Sequence, residues 1–325
     1  MKRGFSLVEL MIALALFGLI ASGSLALVMS GARTQAHSAR VDVAQSGLRA
    51  GLDFITRDLL SASAGASSGS LVEGASGTVL QPIVVTDGGS NGSDSIEIYS
   101  IDASYMAQVG PNPVAAGAAN INIGLGAGSY AFAAGDVVQL CNLTSGVIVR
   151  LTNASSSLLT GSVANTGGLS FLADGSSYVF KTRHARYYIL ATQFGAATTS
   201  GQGSALMMDL YDGANGASNP QPLAEGVEDL QVALAVDADA NGQIAVENAA
   251  TAGADEWVLN NAGETPPLTV ANLKAVRITL VAKSTSAEKG TFPARPAAED
   301  RAAGTADGFF RRVVRSEVAV RNFNL

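Results

Sequence analysis

From Phe5 to Ala62 the chain contains no proline, and nothing in that interval stops a helix. Its first part, Phe5 to about Met29, is apolar at nearly every position. At 1.5 Å per residue that part spans roughly 37 Å, enough to cross a hydrocarbon core of about 30 Å. The second part changes character without breaking. Val41, Ala44, Leu48, Leu52, Ile55 and Leu59 recur at spacings of three and four, which is the stripe of an amphipathic helix. Arg49, Asp53 and Arg57 add opposite charges four apart on the polar side. One helix of about 58 residues, near 87 Å long, is predicted. It has a membrane-crossing half (5–29) and an amphipathic half (30–62) whose stripe must be buried against something else.

Lys2 and Arg3 precede the apolar run and hold the N-terminus on the cytoplasmic side. An ordinary secretory signal, cut near the small residues of IASGSLA, is the competing fate. The length of the run and its uninterrupted helical continuation speak against it. Glu9 is the odd residue, because an acid inside a membrane helix costs about 2.5–3.5 kcal/mol. Ser6 and Glu9 form the S-x-x-E pattern of a capping box, and a carboxylate suits the positive end of a helix dipole. Capping requires no hydrocarbon around it, so Glu9 also calls for a partner.

KRG followed by FSLVELMIALALFGLI resembles the leader of type IV pilins and of type II secretion pseudopilins. Three later segments, Leu223–Gly242, Leu273–Ser284 and Phe309–Leu325, resemble PilW-type minor pilins, relatives of the pseudopilin GspJ. The resemblance implies that a prepilin peptidase cuts between Gly4 and Phe5, removing residues 1–4, and methylates the new Phe5 amine. It implies as partners other minor pilins, a major pilin, the peptidase and the inner membrane. Glu9 would then meet the Phe5 amine of a neighbouring subunit; buried alone both charges are costly, and together they attract and set register. The expected role is to initiate and cap a type IV pilus, first in the inner membrane and then at the pilus tip or cell surface. A GspJ-like pseudopilin, a pilin-anchored adhesin and a secreted enzyme are the alternatives.

After Ala62, SASAGASSGS ends the helix, and residues 63–325 alternate strand-like runs with Gly, Asn and Asp clusters. Strands are predicted at 95–102, 136–142, 146–153, 178–183, 185–194, 205–212, 230–237, 275–284 and 313–323, with a hairpin joining the second and third. The expected fold class is α+β: the long helix packed on a predominantly antiparallel β-sheet domain. Stretches 65–92 and 110–128 are Gly-rich and weakly patterned, which points to long loops.

The net charge of −7 carries no basic footprint for nucleic acid. The single cysteine, Cys141, excludes an internal disulfide and sits in an apolar run as a small hydrophobe. His37 and His184 are too few and too distant for a zinc site. No nucleophile–base spacing points to an enzyme, and no cofactor is expected beyond one calcium candidate. That candidate is DADANG, where Asp237, Asp239 and Asn241 match the first half of a calcium loop, with Asn248 in place of the closing glutamate. A solvated Asn-Gly turn is the competing account. Arg311, Arg312, Arg315 and Arg321 are expected on the solvated face of a half-buried strand. Glu225, Glu228 and Asp229 are expected at a surface.

Overall fold

A computed structural model of the chain describes residues 7–62, 71–73, 79–80, 82–115, 118, 120–123, 132–142, 146–154, 158–161, 171–192, 203–211, 217–244, 256–261, 263–264, 272–284 and 292–320. Helix α1 (Leu7–Ser61) runs unbroken for 55 residues, about 82 Å. Among the described residues, fifteen strands follow. In chain order they are β1 (Leu71–Glu73), β2 (Val79–Leu80), β3 (Ile83–Thr86), β4 (Ser95–Gln108) and β5 (Asn120–Asn122). Next come β6 (Val137–Cys141), β7 (Gly146–Ala154), β8 (Leu158–Gly161), β9 (Tyr178–Thr192) and β10 (Gly203–Leu210). The last are β11 (Asn219–Glu225), β12 (Val227–Val236), β13 (Trp257–Val258), β14 (Leu273–Lys283) and β15 (Arg311–Ala319).

They form two sheets. The larger is organised on β9, which pairs antiparallel with β4, β6 and β10. The smaller has the order β13-β12-β14-β15 and is antiparallel throughout. The one parallel ladder among the described strands joins β1 to β7. β6 and β7 form the predicted hairpin, with Val138 opposite Val149. The runs 178–183 and 185–194, predicted as two strands, are one: His184 continues the ladder, opposite Tyr99. The stretches expected as loops hold β1, β2, β3 and β5, whose short lengths leave no alternation to detect.

The amphipathic stripe finds its face. Leu48, Ile55 and Leu59 are fully buried, and Leu52 packs beside them. They share one core with Ile96, Ile98 and Tyr187 of the larger sheet and with Val232, Ile278 and Leu280 of the smaller. Helix α1 thus closes the gap between the sheets. The Val41 and Ala44 side chains lie outside the described residues. Glycines on this face admit the sheets closely: a Cβ on Gly51 would sit 2.5 Å from Leu206 Cδ2, and one on Gly47 would sit 3.3 Å from Ala224 Cβ. A second core, with Val138, Leu140, Val149, Leu159 and Phe171, fills the far end of the larger sheet. Cys141, at the end of β6, is buried as a small hydrophobe.

Candidate assembly helix and polar sites

The first 26 residues of α1, Leu7–Ala32, are long and apolar enough to cross a membrane, and none of their most apolar window is buried within the molecule. Leu7, Leu14, Phe17, Leu19 and Leu27 are each more than two-thirds exposed. A stripe would leave a polar face; here the apolar surface goes all round, as a helix surrounded by lipid or by other apolar helices requires. Glu9 lies in the first turn of α1 and is exposed. Gly4 and Phe5, the expected cleavage and methylation positions, lie outside the described residues.

The opposite end of α1 is fastened by charge as well as by packing. Asp58 is 1 % exposed. Its Oδ2 accepts a hydrogen bond of 2.6 Å from the Tyr187 hydroxyl, and its Oδ1 forms an ion pair with Arg183. Burial, and then the Asp58 charge, push the Tyr187 phenol above its ordinary range, so it stays a donor. Both partners stand on β9, at positions of the same parity, so their side chains share one face. The helix meets the sheet at a fixed register. Asp58 escapes sequence inspection because it continues the polar face of a helix already rich in alternating charge.

The loop after β12 brings Asp237, Asp239 and Glu256 together, each with a carboxylate oxygen within 4.8 Å of the others. Asn241 does not join them as an oxygen donor. Its Nδ2 donates to Asp239 Oδ2 at 2.7 Å and its Oδ1 accepts from the Gln243 N–H at 2.7 Å. Asp237 receives the Asn241 and Gly242 N–H groups, with Lys274 Nζ at 3.4 Å from Oδ2. These partners hold its carboxyl below the usual range against the effect of burial. Gly242 takes φ 83°, where an L side chain would be strained, so the loop uses its glycine as a turn does. The position that would close a calcium loop, Asn248, is outside the described residues, and Glu256 stands nearby instead.

The terminal basic strand differs from a solvated face. Val318 is buried and Val313, Arg315, Glu317 and Ala319 are exposed, as the alternation predicts. Arg311, however, is largely buried, with Nε 2.5 Å from Glu228 Oε1 and Nη2 2.6 Å from Asp307 Oδ2. Arg315 Nη2 lies 2.7 Å from Glu299 Oε1, and Arg312 stacks its guanidinium over Phe310 at 5.0 Å. Arg321 is outside the described residues. Nor is Asp229 a surface acid. It is fully buried, paired with Arg301 and, at 3.0 Å, with Arg295. Glu225 is exposed, as expected, and Glu228 is drawn in by Arg311.

Two family models match the chain. Residues 1–25 match the prokaryotic N-terminal methylation motif, and residues 186–322 match the type IV pilus-assembly protein W. Over these two segments, the N-terminal stretch and the C-terminal part of the β-rich body, the chain is similar to type IV pilin-like proteins of the PilW type. Among solved structures, a type IV-like pilin from Thermus thermophilus is similar over 86 % of this chain and 97 % of that one, at 11 % identity and a TM-score of 0.38. No curated protein matches. The matched region begins inside β9 and takes in β10 to β15, which carry part of the docking face for α1 and the ion pairs of Glu228, Asp229 and Glu299. Pilin-like families are structural, and the ion pairs described above join distant segments of this chain.

Proposed function

We propose that this pilin is a minor subunit that helps initiate, and caps the tip of, a type IV pilus. The observation that carries the reading is the pairing of an all-round apolar, exposed helix with a β-rich body to which its other half is fastened. Such a helix needs neighbours of its own kind once it leaves the bilayer, and a bundle of pilin helices supplies them. The matched methylation motif supports processing between Gly4 and Phe5 by a prepilin peptidase, with methylation of the Phe5 amine. Glu9, in the first turn, then pairs with that amine on an adjacent subunit and fixes the axial step. The chain begins in the inner membrane with its N-terminus cytoplasmic, and the β-rich body lies on the other side.

Glu9→Val separates assembly from folding. The substitution replaces the carboxylate with an apolar side chain, so membrane levels and the melting of the β-rich body are expected to match wild type. Co-purification with other pilins and surface pilus number are expected to fall at least tenfold. Wild-type pilus numbers in this variant would overturn the pairing. Gly4→Leu is expected to leave a precursor that keeps residues 1–4, seen by mass spectrometry of the intact chain.

A further inference from the structure

Outside the helix, two groups of carboxylates among the described residues are close enough to share an ion. The group at Asp237 is answered internally by N–H donors and Lys274. The other group is Asp87, Asp94 and Asp300, each with a carboxylate oxygen within 4.8 Å of the others. Asp94 is 1 % exposed and accepts the Gly88 and Val232 N–H groups at 3.0 and 2.7 Å. Asp87 accepts the Gly89 N–H at 2.5 Å. Asp300 is 8 % exposed, and its buried Oδ1 accepts no hydrogen bond.

Positive charge is missing where it is needed. Among the described residues, no Lys, Arg or His nitrogen stands within 4.0 Å of a carboxylate oxygen of these three. Arg295 and Arg301, from the same loop as Asp300, are both held by Asp229. Three acids brought together in a dry place repel one another, and a bound dication reverses the sign of that interaction.

The surroundings fix the three in place. The turn carrying Asp300 is closed by reciprocal hydrogen bonds of 2.9 and 3.1 Å between the Ala298 and Arg301 backbones. Its Glu299 takes φ 49° and is gripped by Arg277, Arg315 and Thr279. The Asp87–Asp94 loop is tied to β12 by Asp94 N–H to Leu230 O at 2.9 Å, and to the turn's flank by Ala302 N–H to Ser90 O at 3.3 Å. All-oxygen ligands, carboxylate-rich and drawn from loops, suit a hard cation of calcium size. We propose that Asp87, Asp94 and Asp300 are protein ligands of a divalent-cation site of the calcium class, which staples the β3–β4 loop to the turn preceding β15.

The test is a thermal melt of the full-length chain in detergent micelles, in chelator and in about 5 mM calcium chloride. Extracellular calcium modules bind with Kd of about 0.1–1 mM. Calcium is therefore expected to raise Tm by about 2–4 °C. Asp300→Asn and Asp87→Asn keep the shape and remove a charge. Both are expected to melt at or above wild type in chelator and to lose the calcium shift. Asp239→Asn, in the other acidic group, is expected to keep it. Calcium titration calorimetry at constant pH is expected to give one ion per chain in wild type and none in Asp87→Asn. An equal shift with magnesium chloride keeps the site and widens it to hard dications generally. No shift with calcium in wild type, a shift retained in both Asn variants, or a shift lost only in Asp239→Asn would each overturn the assignment.

Discussion

Asp58 and Glu97 illustrate how single acids act when their partners differ in depth. Asp58→Ala strands the buried Tyr187 hydroxyl and leaves the Arg183 guanidinium, 26 % exposed, without its counter-charge. A loss of about 2–4 kcal/mol is expected in urea unfolding, because removing one member of a buried pair costs more than the pair itself contributes. Asp53→Ala, on the half of the helix facing solvent, is expected to stay within about 0.5 kcal/mol. Glu97 is half-buried beside His184, whose ring is stacked between Tyr99 and Tyr211 with centroids 4.1 Å from each. The His184 hydrogen bond, ahead of the opposing effect of burial, holds Glu97 below its ordinary 4.5. A lowered acid binds fewer protons folded than unfolded, so its contribution is complete above 4.5 and is lost as pH falls below that value. Glu97→Gln is therefore expected to lower stability at about pH 6 and to make little difference at about pH 3.

At the scale of elements, the contact between α1 and the sheets was legible in sequence as far as the stripe at Leu48, Leu52, Ile55 and Leu59. Period and spacing point to a buried face, and these residues occupy it. β12 and β14 were equally legible from their apolar continuity, whereas β9 reads as two strands in sequence and β4 only as far as Asp102. What escaped was short or non-local. β1, β2 and β5 are too brief to show a period, and Asp94, Asp229, Glu299 and Asp300 look like ordinary loop or edge acids until distant segments are laid beside them. Gly51 belongs to the same class, because its need for space comes from Leu206 across the interface. Gly51→Leu is expected to cost about 1–3 kcal/mol by overpacking, measured by thermal or urea unfolding. Gly18→Leu, with nothing within 4 Å of its Cβ, is expected to leave that unfolding unchanged.

For the whole molecule, the membrane-crossing half of α1 and the β-rich body have separate tasks, which is why substitutions sort cleanly between assembly and stability. The buried charges add an ordering in time. Asp229 stands in β12, yet the groups that neutralise it arrive only with Arg295 and Arg301. A chain emerging from the ribosome has therefore already placed its helix before the body can close around Asp229. Until residue 301 is delivered, folding would bury an uncompensated carboxylate, a cost of several kcal/mol. The nascent body is expected to stay open until that residue is delivered. A chain stalled before residue 295 is expected to be degraded by a protease that spares one released at full length. Replacing Asp229 with Asn in the stalled chain should relieve part of that exposure.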